Sequence, residues 1–255
     1  MVQLLLLTDF GVQGPYVGQM KSVLHALAPG LPVIDLMHDV PAFNAHAGAH
    51  MLSALVAHMP VGSVCVAVVD PGVGTPRDAV VLEADGRWFV GPDNGLLSVC
   101  AARAGQHRVW RIDWRPEQLS ATFHGRDLFA PIAAQVARML EEDLSNMHGL
   151  TPIPALGVEF DSTDLLRVIY LDAFGNAWTG LRGSLAHANT QIMVAGQTLN
   201  SAATFSEAKK GEPFWYVNSL GLVEIAANRA SAAVLLGLKI GDPIRISESG
   251  AGHLH

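Results

Sequence analysis

The chain contains little charge and few cysteines. Only 15% of its 255 residues are charged, the formal net charge is -7, and the basic residues are scattered. A nucleic-acid surface shows as a basic stripe, so we expect no nucleic-acid partner. The two cysteines, Cys65 and Cys100, fall in apolar runs. This placement is typical of reduced core thiols and argues against a disulfide framework.

Long apolar runs are also missing. No stretch approaches the ~20 apolar residues that a membrane helix needs, and the leucine run at 4–7 is too short for the apolar core of a signal peptide. We therefore predict a cytoplasmic protein with no membrane partner. Half of the residues are hydrophobic, so one large or two small domains can bury a sizeable core.

Two common catalytic motifs are absent as well. The sequence has neither a Gly-x-x-x-x-Gly-Lys-Ser/Thr phosphate loop nor a serine in a Gly-x-Ser-x-Gly turn. The motifs therefore give no support to covalent catalysis by serine or cysteine.

Strand-like and helix-like segments alternate over the first part of the chain. This alternation predicts a mostly parallel, doubly wound α/β domain over residues 1–143. Residues 144–164 contain two prolines and two glycines with little periodicity, which predicts a linker. Short β-like runs between turn signals then predict a smaller β-barrel domain over residues 165–255. The predicted strands are 2–7, 33–37, 62–69, 79–83, 88–90, 109–112, 166–171, 191–194, 214–217, 222–225 and 244–246, and the predicted helices are 16–28, 44–58, 96–104 and 128–141.

The most informative stretch is 66–77, where a β-branched apolar run ends at Asp70. A turn with Pro71 and two glycines follows, and then Arg77. Open α/β sheets bind ligands at the carboxyl ends of their strands, so we interpret Asp70 and Arg77 as a reactive centre. A structural salt bridge is the alternative.

Two further polar positions extend this hypothesis. Asp9 follows the first predicted strand, and His124 precedes the fourth predicted helix. An aspartate can act as a base toward water, and a histidine accepts or relays protons near neutral pH. Asp70, Arg77 and His124 together could therefore orient and activate a water molecule.

Histidines on the second predicted helix raise a metal hypothesis. His46 and His50 are spaced i, i+4, so they share a helix face that zinc could use. No glutamate follows His46, as a helical zinc-protease motif requires. We favour surface or packing histidines and expect no metal.

The second predicted domain carries two polar turns, 172–178 and 218–224. They are interpreted either as plain hairpins or as the rim of a polar pocket. In the second case Trp178 and Phe205 would supply flat faces on which a base stacks.

Six motifs taken in order resemble the S-adenosylmethionine (SAM) hydroxide adenosyltransferase family, the relatives of the fluorinase and chlorinase. The resemblance implies an α/β domain followed by a β-barrel, and a homotrimer with active sites between subunits. It also implies the hydrolysis of SAM to adenosine and methionine without a cofactor. The motifs are Thr8-Asp9-Phe10-Gly11, Val69-Asp70-Pro71-Gly72-Val73-Gly74, Gly91-Pro92-Asp93-Asn94-Gly95, Thr122-Phe123-His124-Gly125-Arg126-Asp127, Phe174-Gly175-Asn176 and Asn218-Ser219-Leu220-Gly221.

The resemblance also implies residue roles. Asp70, Arg77 and His124 match the water-activating triad, whereas the halide-using branch lacks the acid and the histidine. Asp9 matches the acid that binds the ribose hydroxyls. Gly14 occupies a position at which the family commonly has an acidic residue. Transfer to halide and non-catalytic SAM binding are the competing hypotheses. The other substrate contacts implied are Asp172 for the methionine amino group, Trp178 and Phe205 for adenine, and Asn176, Ser219, Glu224 and Ala227.

Overall fold

The computed structural model describes residues 2–140, 148–186 and 190–248. It divides the chain into two compact units, Met1–Ser162 and Thr163–His255. Residues 144–147 of the predicted linker lie outside the described residues. The domain boundaries stay a prediction.

The first unit contains one seven-stranded sheet with helices packed against it. The strands are β1 (Leu4–Thr8), β2 (Val33–Met37), β3 (Val64–Val68), β4 (Ala79–Ala84), β5 (Arg87–Pro92), β6 (His107–Ile112) and β7 (Leu150–Ile153), and the helices are α1 (Tyr16–Leu27), α2 (Ala45–Leu55), α3 (Ser98–Arg103) and α4 (Ala130–Met139). The strand order in the sheet is β2-β1-β3-β5-β4-β6-β7. A wide π-helical turn at Gly125–Phe129 leads directly into α4.

The sheet is parallel in one half and antiparallel in the other. The pairs β1–β2, β1–β3 and β3–β5 are parallel, whereas β4 pairs antiparallel with β5 and β6, and β7 with β6. The β4–β5 hairpin turns at Asp85-Gly86, both with positive φ, as a tight two-residue turn requires. This confirms an α/β domain with a parallel-containing sheet.

The centre of the sheet is apolar on both faces. All five residues of β1 and all five of β3 are buried, which is typical of parallel strands covered on both sides. Leu4 and Leu6 pack in one core cluster with Met20 and Leu24 of α1 and with residues of α4.

The register of β1 and β3 places two carboxylates side by side. Thr8 pairs with Val68 at the carboxyl ends of the two strands, and the Asp9 amide donates to the Val68 carbonyl at 3.3 Å. Asp9 and Asp70 therefore leave the sheet at the same edge.

The second unit contains two antiparallel sheets. Its elements are β8 (Leu165–Leu171), β9 (Ala177–Arg182), β10 (Thr190–Val194), β11 (Gln197–Leu199), β12 (Pro213–Val217), β13 (Leu222–Ala227), α5 (Ala232–Leu236) and β14 (Ile244–Glu248). The strand orders are β11-β10-β14 and β12-β13-β9-β8. Single bridges join Arg167 to Pro243 and Ser201 to Trp215, so the sheet edges meet in cyclic order. The closed barrel stays a prediction.

Over residues 2–140, 148–186 and 190–248, no helix combines the length and the apolar character that crossing a membrane requires.

Candidate active site

Asp70 and Arg77 form a doubly hydrogen-bonded ion pair beyond the end of β3. The Arg77 Nε donates to Asp70 Oδ1 at 2.7 Å, and its Nη2 donates to Asp70 Oδ2. The two side chains are only 5% and 10% exposed. A buried, two-pronged contact of this kind fixes both groups, because guanidinium and carboxylate match in shape and charge.

The turn between these residues depends on a close backbone approach. The Val73 amide donates to the Asp70 carbonyl at 3.2 Å, and Gly74 has φ +79. A Cβ on Gly74 would lie 2.7 Å from the Ala121 carbonyl oxygen. A glycine is therefore required here both by its dihedral angle and by its neighbour. This contact places the 70–77 turn against the segment that carries His124.

His124 completes a chain of three side chains. Arg77 Nη2 lies 3.2 Å from His124 Nδ1. A guanidinium can only donate, so Nδ1 accepts and the neutral ring carries its hydrogen on Nε2. Burial, followed by the charge of Arg77, lowers the pKa of His124, which agrees with a neutral imidazole.

The surroundings of His124 hold it in place. It directly precedes the π-helical turn, and the Arg77 guanidinium lies 5.4 Å from the Phe129 ring centroid. Asp127 accepts from the Ser120 amide at 3.0 Å and from Arg126 at 2.6 Å. The Arg126–Asp127 pair therefore anchors the loop ahead of His124.

Asp9 is the second carboxylate at this edge of the sheet. Its Oδ2 accepts a hydrogen bond from the Phe43 amide at 3.0 Å. Burial raises the pKa of Asp9, while the Phe43 amide opposes that rise. Asp9 is therefore a half-buried carboxylate with one amide donor and spare acceptor capacity.

Asp9, Asp70 and His124 share a cavity of about 380 Å³. Arg77 is outside its lining and instead lines a second cavity of about 320 Å³, to which His124 also contributes. Asp70 and His124 therefore face the first cavity, whereas the Arg77 guanidinium contacts them from the side away from it. The other residues of the first cavity are Phe10, Tyr16, Ala42, Phe43, Val68, Val73, Thr122, Phe123 and Gly125.

The aromatic lining of this cavity was missed by sequence reasoning. Phe10, Tyr16 and Phe123 pack at centroid distances of 5.3–6.0 Å. Phe43 is 76% exposed and has φ 62, a left-handed conformation that is uncommon for a bulky residue and often marks functional sites. Phe10 and Phe123 belong to two of the six motifs, which could have pointed to them, whereas no motif contains Tyr16 or Phe43.

In the second unit, one face of the four-stranded sheet carries a row of cross-strand neighbours. Tyr170 pairs with Trp178, Trp178 with Glu224, and Glu224 with Tyr216. The Tyr170 and Trp178 rings lie 4.7 Å apart. The opposite face supplies the apolar core, with Leu181 and Ile225 among its members.

Glu224 is a buried carboxylate held by hydrogen bonds. It is 3% exposed, and it accepts from the Tyr216 hydroxyl at 2.6 Å and from Asn218 Nδ2 at 3.0 Å. Burial raises the pKa of Glu224, and the bonds from Tyr216 and Asn218 oppose that rise. A buried acid of this kind is suited to a cationic group.

Asp172 organises the turn between β8 and β9. Its Oδ1 accepts from the amides of Phe174 and Asn176 at 2.9 and 2.8 Å, and its Oδ2 accepts from Asn176 Nδ2 at 3.0 Å. These bonds form the hairpin turn, and the same turn places Asn176 at a cavity. The stacking of a base on Trp178 and Phe205 stays a prediction.

That cavity has a volume of about 540 Å³ and gathers Asn176, Phe205 and Ala227. Four predicted site residues of this unit are absent from its lining: Asp172 in the turn between β8 and β9, Trp178 and Glu224 on the sheet face, and Ser219 in the exposed turn before β13. Phe174 is 80% exposed and was not predicted. The remaining lining residues are Phe174, Arg229, Ala230 and Ser231.

The candidate metal histidines pack with an aromatic ring. The centroids of His46 and His50 lie 5.4 Å apart, and His46 lies 4.5 Å from the Phe160 ring. Within the part of the chain that the structure describes, no three His, Cys, Asp or Glu side chains are grouped as a metal site would require.

Comparison with known proteins identifies the family. The first unit matches the sequence model of the SAM hydroxide adenosyltransferase N-terminal domain over residues 4–145. The second matches the C-terminal domain of the same family over residues 166–245. The chain belongs to the SAM hydroxide adenosyltransferase family.

Similar proteins extend along nearly the whole chain. The (R)-S-adenosyl-L-methionine hydrolase of Thermus thermophilus is 39% identical, with 94% of this chain and 97% of that protein covered. The fluorinase of Actinopolyspora mzabensis is more distant, at 27% identity with 95% and 96% covered. A crystal structure of a Thermotoga maritima protein superimposes with a TM-score of 0.84 at 31% identity, covering 96% of this chain and 99% of that one.

Proposed function

We propose that this protein hydrolyses SAM, in its (R)-sulfonium form, to adenosine and L-methionine. Water attacks the ribose C5′, the C5′–S bond breaks, methionine leaves with the electron pair, and one proton is released. The cluster of Asp70, Arg77 and His124 beside the cavity is the observation that carries this proposal. The hydrolase names of relatives such as the one from Thermus thermophilus support the substrate and the epimer.

The leaving group sets what the site must supply. A sulfonium departs as a neutral thioether, so no general acid is needed. The nucleophile is the harder problem, because bulk water has a pKa of about 15.7. The site therefore has to hold one water in line with the C5′–S bond and remove its proton. Alignment alone is worth effective molarities of ~10⁵ M or more.

The hydrogen bonds favour Asp70 as the proton acceptor. His124 already accepts from Arg77 at Nδ1, so the neutral ring cannot take a second proton while this contact holds. Its Nε2–H is instead a donor for the water oxygen. Each Asp70 oxygen accepts only one bond from Arg77, which leaves a lone pair for the water. Arg77 then stabilises the hydroxide-like charge by its fixed positive charge.

The remaining predicted residues are proposed to bind substrate. Asp9 accepts from the ribose hydroxyls, and Phe205, Trp178 and Asn176 hold adenine, with Ala227 contributing its backbone. Carboxylates attract the cationic substrate, and Asp172 and Glu224 with Ser219 serve its methionine end. The 540 Å³ cavity beside Asn176 supports this assignment of adenine to the second unit.

We also propose that the protein is cytoplasmic. We propose further that it forms a homotrimer, in which each active site combines the first unit of one subunit with the second unit of the next. The test is to refold the Asp70→Asn and Asn176→Ala variants together. The mixed trimers should then have an activity that neither variant has alone. Each variant refolded by itself is the control. A mixed sample no more active than the sum of its parts would contradict shared sites.

The proposed reaction is tested by its product. Purified protein is incubated separately with the (R) and (S) epimers of SAM, and adenosine is followed by chromatography. The Asp70→Ala variant serves as the blank. We expect adenosine chiefly from the (R) epimer. Added fluoride or chloride should yield no 5′-halo-adenosine, because Asp70 suits water as the nucleophile. Adenosine no faster than in the blank would refute the proposal.

We expect the reaction to need no metal ion. A neutral thioether needs no Lewis acid to leave, and a carboxylate is in place to take the proton of the water. Dialysis against a chelator should therefore leave kcat and KM within about twofold of the untreated enzyme. Loss of activity that returns on adding Zn²⁺ or Mg²⁺ would contradict this expectation.

A further inference from the structure

Buried hydrogen bonds fix the turn that carries Asp9. Thr8, the last residue of β1, is 0% exposed, and His38, just after β2, is 5% exposed. Thr8 Oγ1 lies 2.9 Å from His38 Nδ1 and also accepts from the Phe10 amide at 3.2 Å. A hydroxyl both donates and accepts, so Thr8 joins His38 to the backbone immediately beyond Asp9.

The backbone of the same segment encloses Asp9 from both sides. The Gly11 amide donates to the His38 carbonyl at 2.6 Å, and the Val40 amide donates to the Thr8 carbonyl at 3.3 Å. A few residues on, the Phe43 amide donates to the Asp9 carboxylate. The segment after β2 therefore sets both the backbone and the side chain of Asp9.

The network continues away from the cavity. His38 Nε2 lies 3.1 Å from Asp35 Oδ1, a charge contact that lacks hydrogen-bond geometry. Asp35 Oδ2 accepts from Lys21 Nζ at 3.0 Å. A threonine, a histidine and an aspartate in contact have the form of a nucleophile, a base and an orienting acid. Thr8 is fully buried and none of the described cavities is lined by it, so a substrate cannot reach its hydroxyl.

We propose that Thr8 and His38 are positioning residues that aim the Asp9 carboxylate at the two ribose hydroxyls. This inference rests on the proposed function, in which Asp9 binds the ribose. Two hydroxyls on adjacent carbons must meet one carboxylate, so a small displacement of the turn weakens both bonds together. Errors of about 1 Å in such contacts cost up to ~10²-fold in rate.

The test compares two nucleosides that differ only at the hydroxyls. Adenosine and 2′,3′-dideoxyadenosine are titrated calorimetrically into the full chain and its variants. Thr8→Val keeps the shape of the side chain but lacks the hydroxyl, and Thr8→Ser keeps the hydroxyl. We expect Thr8→Val to weaken adenosine binding ~10-fold, about 1.4 kcal/mol, and to leave the dideoxy analogue within about twofold. Thr8→Ser should bind both like the wild type.

Further variants keep the outcome decisive. Asp9→Asn should show the same selective loss as Thr8→Val, and His38→Leu gives the same comparison if Thr8→Val does not fold. Equal weakening of both nucleosides, or of neither, would overturn the positioning role. A wild type that binds both nucleosides equally would overturn it too. A wild type that prefers adenosine but releases none from SAM would refute the proposed hydrolysis while supporting the role of Asp9.

Discussion

Exchange of Asp70 for asparagine should lower kcat for SAM hydrolysis by ~10²–10⁴-fold, the usual contribution of a positioned general base. The amide has the size of the carboxylate but cannot take the proton of water. It also presents an NH₂ group to a guanidinium that has only donors. KM should change far less than kcat, because the substrate contacts are made by other residues. Steady-state kinetics with adenosine as the measured product decide the matter.

Asp78→Asn is a matched control for this exchange. Asp78 is exposed and adjoins Arg77, whose Nη1 donates to the Asp78 carbonyl and not to its carboxylate. The control should keep kcat within about twofold. An Asp70→Asn enzyme with kcat within tenfold of the wild type would show that the proton leaves by another route, and the assigned role of Asp70 would be wrong.

Exchange of Glu224 for glutamine should act on binding. A hydrogen bond to a charged group is worth about 1.5–3 kcal/mol, so losing the charge should raise KM for the cationic substrate by ~10–100-fold, with a smaller change in kcat. In the wild type, Glu224 has a raised pKa. It therefore gains its proton at a higher pH than an ordinary glutamate, and kcat/KM should fall as the pH is lowered through that value.

The pH profile separates Glu224 from Asp9, a second carboxyl group whose pKa is raised. Glu224→Gln should remove its share of the acid-side fall and leave the share of Asp9. Tyr216→Phe removes a donor that lowers the pKa of Glu224, so the fall should move to higher pH. Glu212→Gln, an exposed exchange in the same unit, should leave the profile unchanged. An unaltered profile in Glu224→Gln would contradict the assignment.

Much of the first-unit site follows from strand periodicity. Buried apolar runs that end in an acid are parallel strands with their carboxyl ends together, and this alone brings Asp9 beside Asp70. The tight turn at Asp85-Gly86 was likewise predictable from its residue types. These features depend on local sequence and on one general rule of sheet geometry.

Other features depend on contacts between distant segments. Strand β7 contains Pro152, which is tolerated only because β7 is an edge strand. Strand β9 contains Gly180, and a Cβ added there would lie 2.7 Å from the Leu165 carbonyl oxygen. The close approach of Leu165, and not a strand propensity of glycine, therefore explains this residue. Phe43 adopts a left-handed conformation that no residue pattern predicts. Such positions are settled by the tertiary structure.

The π-helical turn at Gly125–Phe129 has an evolutionary consequence. A π-helical turn accommodates one residue more than an α-helical turn. Deleting one residue from it would restore a regular helix and rotate what precedes it by about 100° around the axis. His124 would then point away from Arg77, although every residue of the cluster would still be present in the sequence. A relative that keeps all three residues but has a one-residue gap at this turn should therefore have lost the reaction.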